Sequence, residues 1–82
     1  MTRDPVIAVR DVLREIAFLR QLSGNTTLLD FRSDPLAFRA AAFSIQTVSE
    51  AVRRIPDEWL ADFPNEPWSA IKATGNRIRH EY

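Results

Sequence analysis

The 82 residues suffice for one small domain, 1–82, and no more. Eleven Lys and Arg, ten of them Arg, balance eleven Asp and Glu, so the chain is neutral when its lone His is uncharged. The absence of Cys excludes a disulfide framework and a thiolate metal site, one His excludes a His-rich metal site, and 45% apolar against 27% charged residues excludes a disordered chain.

Taken in chain order, Asp4-Pro5 reads as an N-cap followed by Pro at the first helical position. Val9, Val12, Ile16, Leu19 and Leu22 then recur at helical spacing, and Ser23-Gly24-Asn25 stops that helix. Thr26 and Thr27 cap a short turn, TLLDFR, too short to stand alone. Asp34-Pro35 repeats the start signal. A longer helix follows, in which Phe38, Ala41, Ile45, Val48, Val52 and Ile55 form the strongest pattern in the chain. That stripe predicts packing along the whole helix, within a bundle or across a dimer. Pro56 ends it. The segment from Asp57 to Pro67 reads as a connector with one helical turn around Trp59-Leu60. Helical patterning resumes from Trp68 to about Arg79.

No alternating run of β-branched residues and no strand-flanked hairpin dipeptide occurs. The expected fold is therefore all-α: three substantial helices plus one or two short ones, in a small antiparallel bundle. A chain of this length buries only about 60–65% of its unfolded surface, so a partner subunit is expected to help it. No apolar run approaches the ~20 residues of a membrane span. The N-terminus is charged from its third residue and lacks a signal-peptide core, so a cytoplasmic chain with no membrane partner is expected.

The last eight residues, GNRIRHEY, hold the only His, the only Tyr and two Arg. Around them Lys72, Arg77 and Arg79 face one acidic residue, Glu81, and a local positive excess attracts phosphate. On a straight helix Asn76 and His80 are i,i+4 neighbours, whereas Ile71, Ile78 and Tyr82 fall on nearly the opposite face. For His80 and Tyr82 to serve one site, the helix must end or distort near His80. On these residues alone, a buried stripe of Ile71, Ile78 and Tyr82 with His80 as a C-terminal cation is the favoured reading. Trp59 and Trp68, flanking the proline-rich connector, read as core or interface anchors rather than base-stacking platforms. Glu50 reads as a solvated or capping carboxylate, with the option of reaching the site.

Four segments together resemble one family. GNRIRHEY closes the motif helix; FPNEPWSAIKAT supplies a Pro-x-x-Pro-Trp lead-in; AFSIQTVSEAVRRIP is similar to a long second helix with a Glu-Ala step and basic residues; RDPVIAVRDVLREIAFLRQL suits the first helix. Nearly the whole chain thus resembles the HepT-like proteins of the HEPN superfamily, small helical bacterial proteins. The resemblance implies the toxin of a toxin–antitoxin pair: a metal-independent endoribonuclease, requiring no cofactor, whose active site is shared across a homodimer. The implied partners are RNA and a minimal nucleotidyltransferase antitoxin, MntA-like, which silences the toxin by placing AMP on a Tyr.

Carried over residue by residue, His80 matches the motif His, Tyr82 the AMP-accepting Tyr, and Asn76 the polar residue after the motif Arg. The Arg itself is missing: its place falls on Ala73, Thr74 or Gly75, and the Asn76 match points to Gly75. Arg79, or an Arg from a second subunit, is the expected substitute. His80 suits proton transfer to and from the ribose, Arg79 or Arg77 suits a phosphate clamp with Lys72 in support, and Asn76 would orient His80 or the phosphate. Family members usually continue for a further helix or more after the Tyr, which implies a shortened chain ending at Tyr82. The alternative is a catalytically weakened helical module acting as substrate or partner subunit of a nucleotidyltransferase, favoured by Gly75 and by the short tail.

Overall fold

A computed structural model describes residues 4–81, with side chains through residue 80. Five helices follow one another: α1 (Pro5–Gly24), α2 (Leu28–Ser33), α3 (Pro35–Arg53), α4 (Asp57–Leu60) and α5 (Trp68–Glu81). Three are long and two short, as the punctuation predicts, and no strand occurs among the described residues.

The helix starts are written locally. Asp4 accepts from the Val6 amide at 2.9 Å, with Pro5 at the first helical position. Thr27 accepts from the Asp30 amide at 3.1 Å. Asp34 accepts from Leu36 and Ala37 at 3.0 and 3.3 Å. Each cap satisfies amides that the first turn leaves without a helical acceptor. Helix α3 stops at Arg53, three residues ahead of Pro56, through tight turns from the Arg54 and Ile55 amides to the Ala51 and Val52 carbonyls. The residue before a proline is driven out of helical geometry, so the chain unwinds before it gets there. The connector is pinned by Trp68, whose indole N–H donates to the carbonyls of Leu60 (3.1 Å) and Phe63 (3.0 Å). Trp68 is thus an anchor, as expected, while Trp59 is exposed.

Helix α3 is the centre of the molecule. Both α1 and α5 pack against it, and α2 touches it through the Phe31–Phe38 ring pair, 5.9 Å between centroids. The contacts run antiparallel on both sides. Asp11 of α1 meets Arg54 and Glu15 meets Ser44, while Lys72 of α5 meets Arg53 and Arg79 meets Glu50.

The α3 face differs from the predicted stripe. Ala41 and Val52 are buried and Val48 and Ile55 half-buried, but Phe38 and Ile45 remain 40% and 37% exposed. The buried set instead includes Ser44, Ser49 and Ala51. A helix sandwiched between two others needs two contact faces, and small residues on both allow close approach. The two buried serines also tie the helices together: Ser44 Oγ donates to the Glu15 carbonyl (3.4 Å) and Ser49 Oγ to the Lys72 carbonyl (2.9 Å). No buried side-chain polar atom among the described residues is left without a partner.

The tightest seam lies between α3 and α5 at Gly75. It is buried, and a methyl group there would lie 2.5 Å from Ser49 Cβ and closer still to Ser49 Oγ. Replacing Gly by Ala in a helix ordinarily gains about 1 kcal/mol. Overpacking of about 1–3 kcal/mol opposes that gain, and the colliding Cβ belongs to a short side chain rigidly attached to the neighbouring backbone. Gly75→Ala is therefore expected to lower the urea midpoint, and to cost less in a Ser49→Gly background, where the colliding atoms are gone. A Gly75→Ala protein as stable as the parent would show that α3 and α5 can slide apart freely.

Candidate functional site

The sequence-marked residues converge on the C-terminal half of α5, and the Gly75–Ser49 seam sets which way they face. With Gly75 turned toward α3, the roughly 100° turn per residue places Arg79 at the rim of that interface. Asn76 comes next and His80 beyond it, facing away from α3. Ile71 and Ile78 are half-buried on the α3 side, as the packing reading expects. Asn76, Arg77, Arg79 and His80 are all exposed.

Two of these residues are joined by a bond. Arg79 Nη2 donates to Asn76 Oδ1 at 3.3 Å and also pairs with Glu50 Oε1 of α3. The three side chains form an ordered row from α3 onto α5. His80 continues it as the i+4 neighbour of Asn76, with Arg77 three residues before it on the other flank. The Glu50–Arg79 pair is 42% and 47% exposed, so solvent screens it and its worth to stability is small.

Lys72 stands apart. It is two helical turns before His80, about 12 Å along the axis. Its ammonium lies 3.6 Å from Asp57 Oδ1, and its carbonyl accepts from Ser49 and Arg53. The positive excess counted along the sequence is therefore not the local balance in space. Two of its three cations, Lys72 and Arg79, each face a carboxylate from another element. Helix α5 runs on through Glu81 without the break near His80 that a shared His80–Tyr82 site requires of a single chain. Tyr82, the expected AMP acceptor, lies outside the described residues.

Sequence reasoning undervalued Glu50 and missed Ser49. The available signal was Gly75 itself. An isolated glycine inside a helical pattern, with no cap or turn role, marks a place where another backbone approaches closely. The residue opposite it then fixes the register of α3 against α5.

Two clefts lie elsewhere. One, of about 500 Å³, is an apolar groove between α1, α2 and α3, lined by Ile16, Leu19, Leu22, Leu28, Phe31 and Ala41. The other, of about 580 Å³, is polar and sits where the start of α1 meets the α3–α4 turn, lined by Asp4, Arg53, Arg54 and Asp57 among others. Neither is lined by a residue of α5. No helix among the described residues is long and apolar enough to cross a membrane.

Residues 12–82 match the model of a family described as ribonuclease HepT-like. The chain is 31% identical over 71 residues to a protein of Caldanaerobacter subterraneus subsp. tengcongensis provisionally named an RNase, covering 87% of this chain and 63% of that protein. It is 22% identical over 72 residues to a second provisionally named RNase, from Methanocaldococcus jannaschii, covering 88% and 60%. The chain thus spans a little over three fifths of the first of these relatives and three fifths of the second. No solved structure matches it significantly.

A double-mutant cycle on Glu50→Gln and Arg79→Gln, read by urea unfolding, should give a coupling of about 0.2–1 kcal/mol, the range of exposed pairs. A coupling of several kcal/mol would mean that the pair is dry in solution.

Proposed function

Because the chain belongs to the HepT-like ribonuclease family, we propose that it is the toxin of a bacterial toxin–antitoxin pair, a metal-independent endoribonuclease. The supporting observation is the Asn76–Arg79–His80 edge of α5, which sets a hydrogen-bond acceptor, a guanidinium and an imidazole side by side on an open surface.

The chemistry follows from those groups. His80 takes the proton of a ribose 2′-hydroxyl; the 2′-oxygen bonds to phosphorus, and the bond from phosphorus to the 5′-oxygen breaks. The leaving oxygen collects a proton, from the same imidazole after it has been charged or from its twin. An imidazole has one nitrogen that accepts a proton and another that carries one, so it suits both directions of transfer. Charge builds on the phosphate during the step, and a planar guanidinium meets two of its oxygens at once. Among the described residues, Glu50 and Asn76 both meet Arg79 at Nη2, and a phosphate would meet the other nitrogens of its fork. Arg77 stands on the far flank of His80 and is the second candidate clamp.

His80 faces open solvent on one protomer, so a water-excluding cleft requires a second surface. A second copy of the chain is the proposed source. The outward side of α3 supports this: Leu36 and Phe43, one above the other on the helix, are 81% and 71% exposed. Tyr82 follows the motif His by two residues and is the proposed acceptor of AMP from a minimal nucleotidyltransferase antitoxin in the same cytoplasm. AMP there would add bulk and negative charge where RNA phosphate has to lie.

A second reading has one observation in its favour. Position 75, where the family resemblance seeks the motif Arg, is closed by Ser49 to any side chain. On this reading the chain is a weakened helical module that serves as substrate or partner subunit of the nucleotidyltransferase. Incubation with an unstructured RNA in EDTA separates the two. The ribonuclease cleaves it, and His80→Ala lowers the rate by about 10²–10⁴-fold, the usual worth of acid–base catalysis. A wild-type protein that leaves the RNA intact would overturn the ribonuclease reading. The antitoxin enzyme with ATP should add the mass of one AMP to the wild type and none to Tyr82→Phe; an unmodified wild type would remove the modification claim.

A further inference from the structure

We propose that Glu50 is a positioning residue for Arg79. It would hold the guanidinium on the Asn76 side of α5, so that the arginine of this site acts from position 79 rather than 75. The proposal deepens the ribonuclease reading and, in its activity arm, rests on it.

Three observations on one seam carry it. Gly75 against Ser49 closes position 75 to every side chain, so a guanidinium on this edge of α5 has to come from another position. Lys72, Gly75 and Arg79 form one stripe at i, i+3 and i+7, which meets Ser49, Glu50 and Arg53 of α3. Within that contact Ser49 Oγ and Arg53 Nη2 both donate to the Lys72 carbonyl, at 2.9 and 2.8 Å. Two hydrogen bonds to one carbonyl and a contact that tolerates no Cβ leave little freedom in the register. In that register the Glu50 carboxylate falls opposite Arg79, and the same Nη2 that it holds reaches Asn76 Oδ1 at 3.3 Å.

A long arginine side chain is otherwise free to sample many rotamers, each of which must be given up to bind phosphate. A carboxylate anchored on another helix biases that sampling toward the Asn76 side before substrate arrives. It also places a negative charge near the path of an anion, and this makes the idea separable from a bystander role. If Glu50 were only a nearby charge, its removal would improve RNA binding and cleavage together. If it positions Arg79, removal leaves binding equal or slightly tighter while cleavage falls.

The test uses the full chain with Glu50→Gln and Glu50→Asp. Affinity is measured on an RNA carrying a 2′-deoxy ribose at the cut site, kcat on the all-ribose strand in EDTA, and the Arg79 Nε–H signal by ¹⁵N NMR, assigned with Arg79→Lys. For Glu50→Gln, affinity should change by at most about fivefold, the worth of an exposed pair. Its kcat should fall by about twofold to fivefold, the population bias that an exposed pair can supply. Glu50→Asp, which keeps the carboxylate, should recover part of the loss, and the Arg79 Nε–H signal should shift and broaden in Glu50→Gln. Unchanged or improved kcat in Glu50→Gln, or an unmoved Arg79 signal, overturns the proposal. If the wild type cleaves no RNA, the ribonuclease reading fails by itself. The NMR comparison then decides: a signal lost only in Glu50→Gln upholds the positioning role, and identical signals overturn it.

Discussion

The contact between Gly75 and Ser49 governs how α5 is set against the rest of this molecule. Two helix backbones come together there because neither side supplies more than a hydroxymethyl group. The serine hydroxyl, buried by the approach, is satisfied by the Lys72 carbonyl, so the seam carries no orphaned polar group. Dispersion and hydrogen bonding act over the shortest distance available to two helices, and any side chain at 75 would cancel both. The consequences run outward from this point. The rotation of α5 is set, Ile71 and Ile78 turn inward, Arg79 comes to the rim beside Glu50, and His80 faces away from α3.

Elsewhere the protomer is thinly packed. Among the described apolar residues, Val52 and Leu60 are the only buried ones larger than alanine. Each contributes roughly 1.5–3 kcal/mol by leaving water, a small core for the conformational entropy it must offset. The accessible surface is 6335 Å², against about 5000 Å² for a compact monomer of this mass. The radius of gyration, 13.8 Å, also exceeds the roughly 12 Å of a compact chain this long. Three helices laid side by side, with α3 in the middle, leave the outer faces of all three uncovered. This is the physical argument for the proposed second subunit, and large apolar residues such as Leu36 and Phe43 standing in solvent support it.

The site is a lesson in what a charge count means. Lys72, Arg77 and Arg79 are close in sequence and read as one basic patch. In space Lys72 faces Asp57, Arg79 faces Glu50, and only the second of these pairs lies beside the histidine. A carboxylate from another helix can neutralise a cation or aim it. The hydrogen bond from Arg79 to Asn76 favours aiming, because it ties the guanidinium to the same edge of α5 that carries His80.

How much of this was legible beforehand divides along a physical line. The helices were, because caps and breakers act within a few residues: Asp4-Pro5, Asp34-Pro35 and Pro56 write their effects into the adjacent turn. The i,i+4 relation of Asn76 and His80 was legible for the same reason, and the chemical types of the tail residues together pointed to the family. The partners of Arg79 and Lys72 were not, because Glu50 and Asp57 come from other elements and reach them only after the helices dock. Nor was the apolar stripe of α3 a full guide, since one periodicity cannot describe a helix with two neighbours. Local hydrogen bonding and φ restriction belong to the chain by itself; which faces meet, and how closely, depended on one missing side chain at position 75, whose effect exists only where a second helix is there to fill the space.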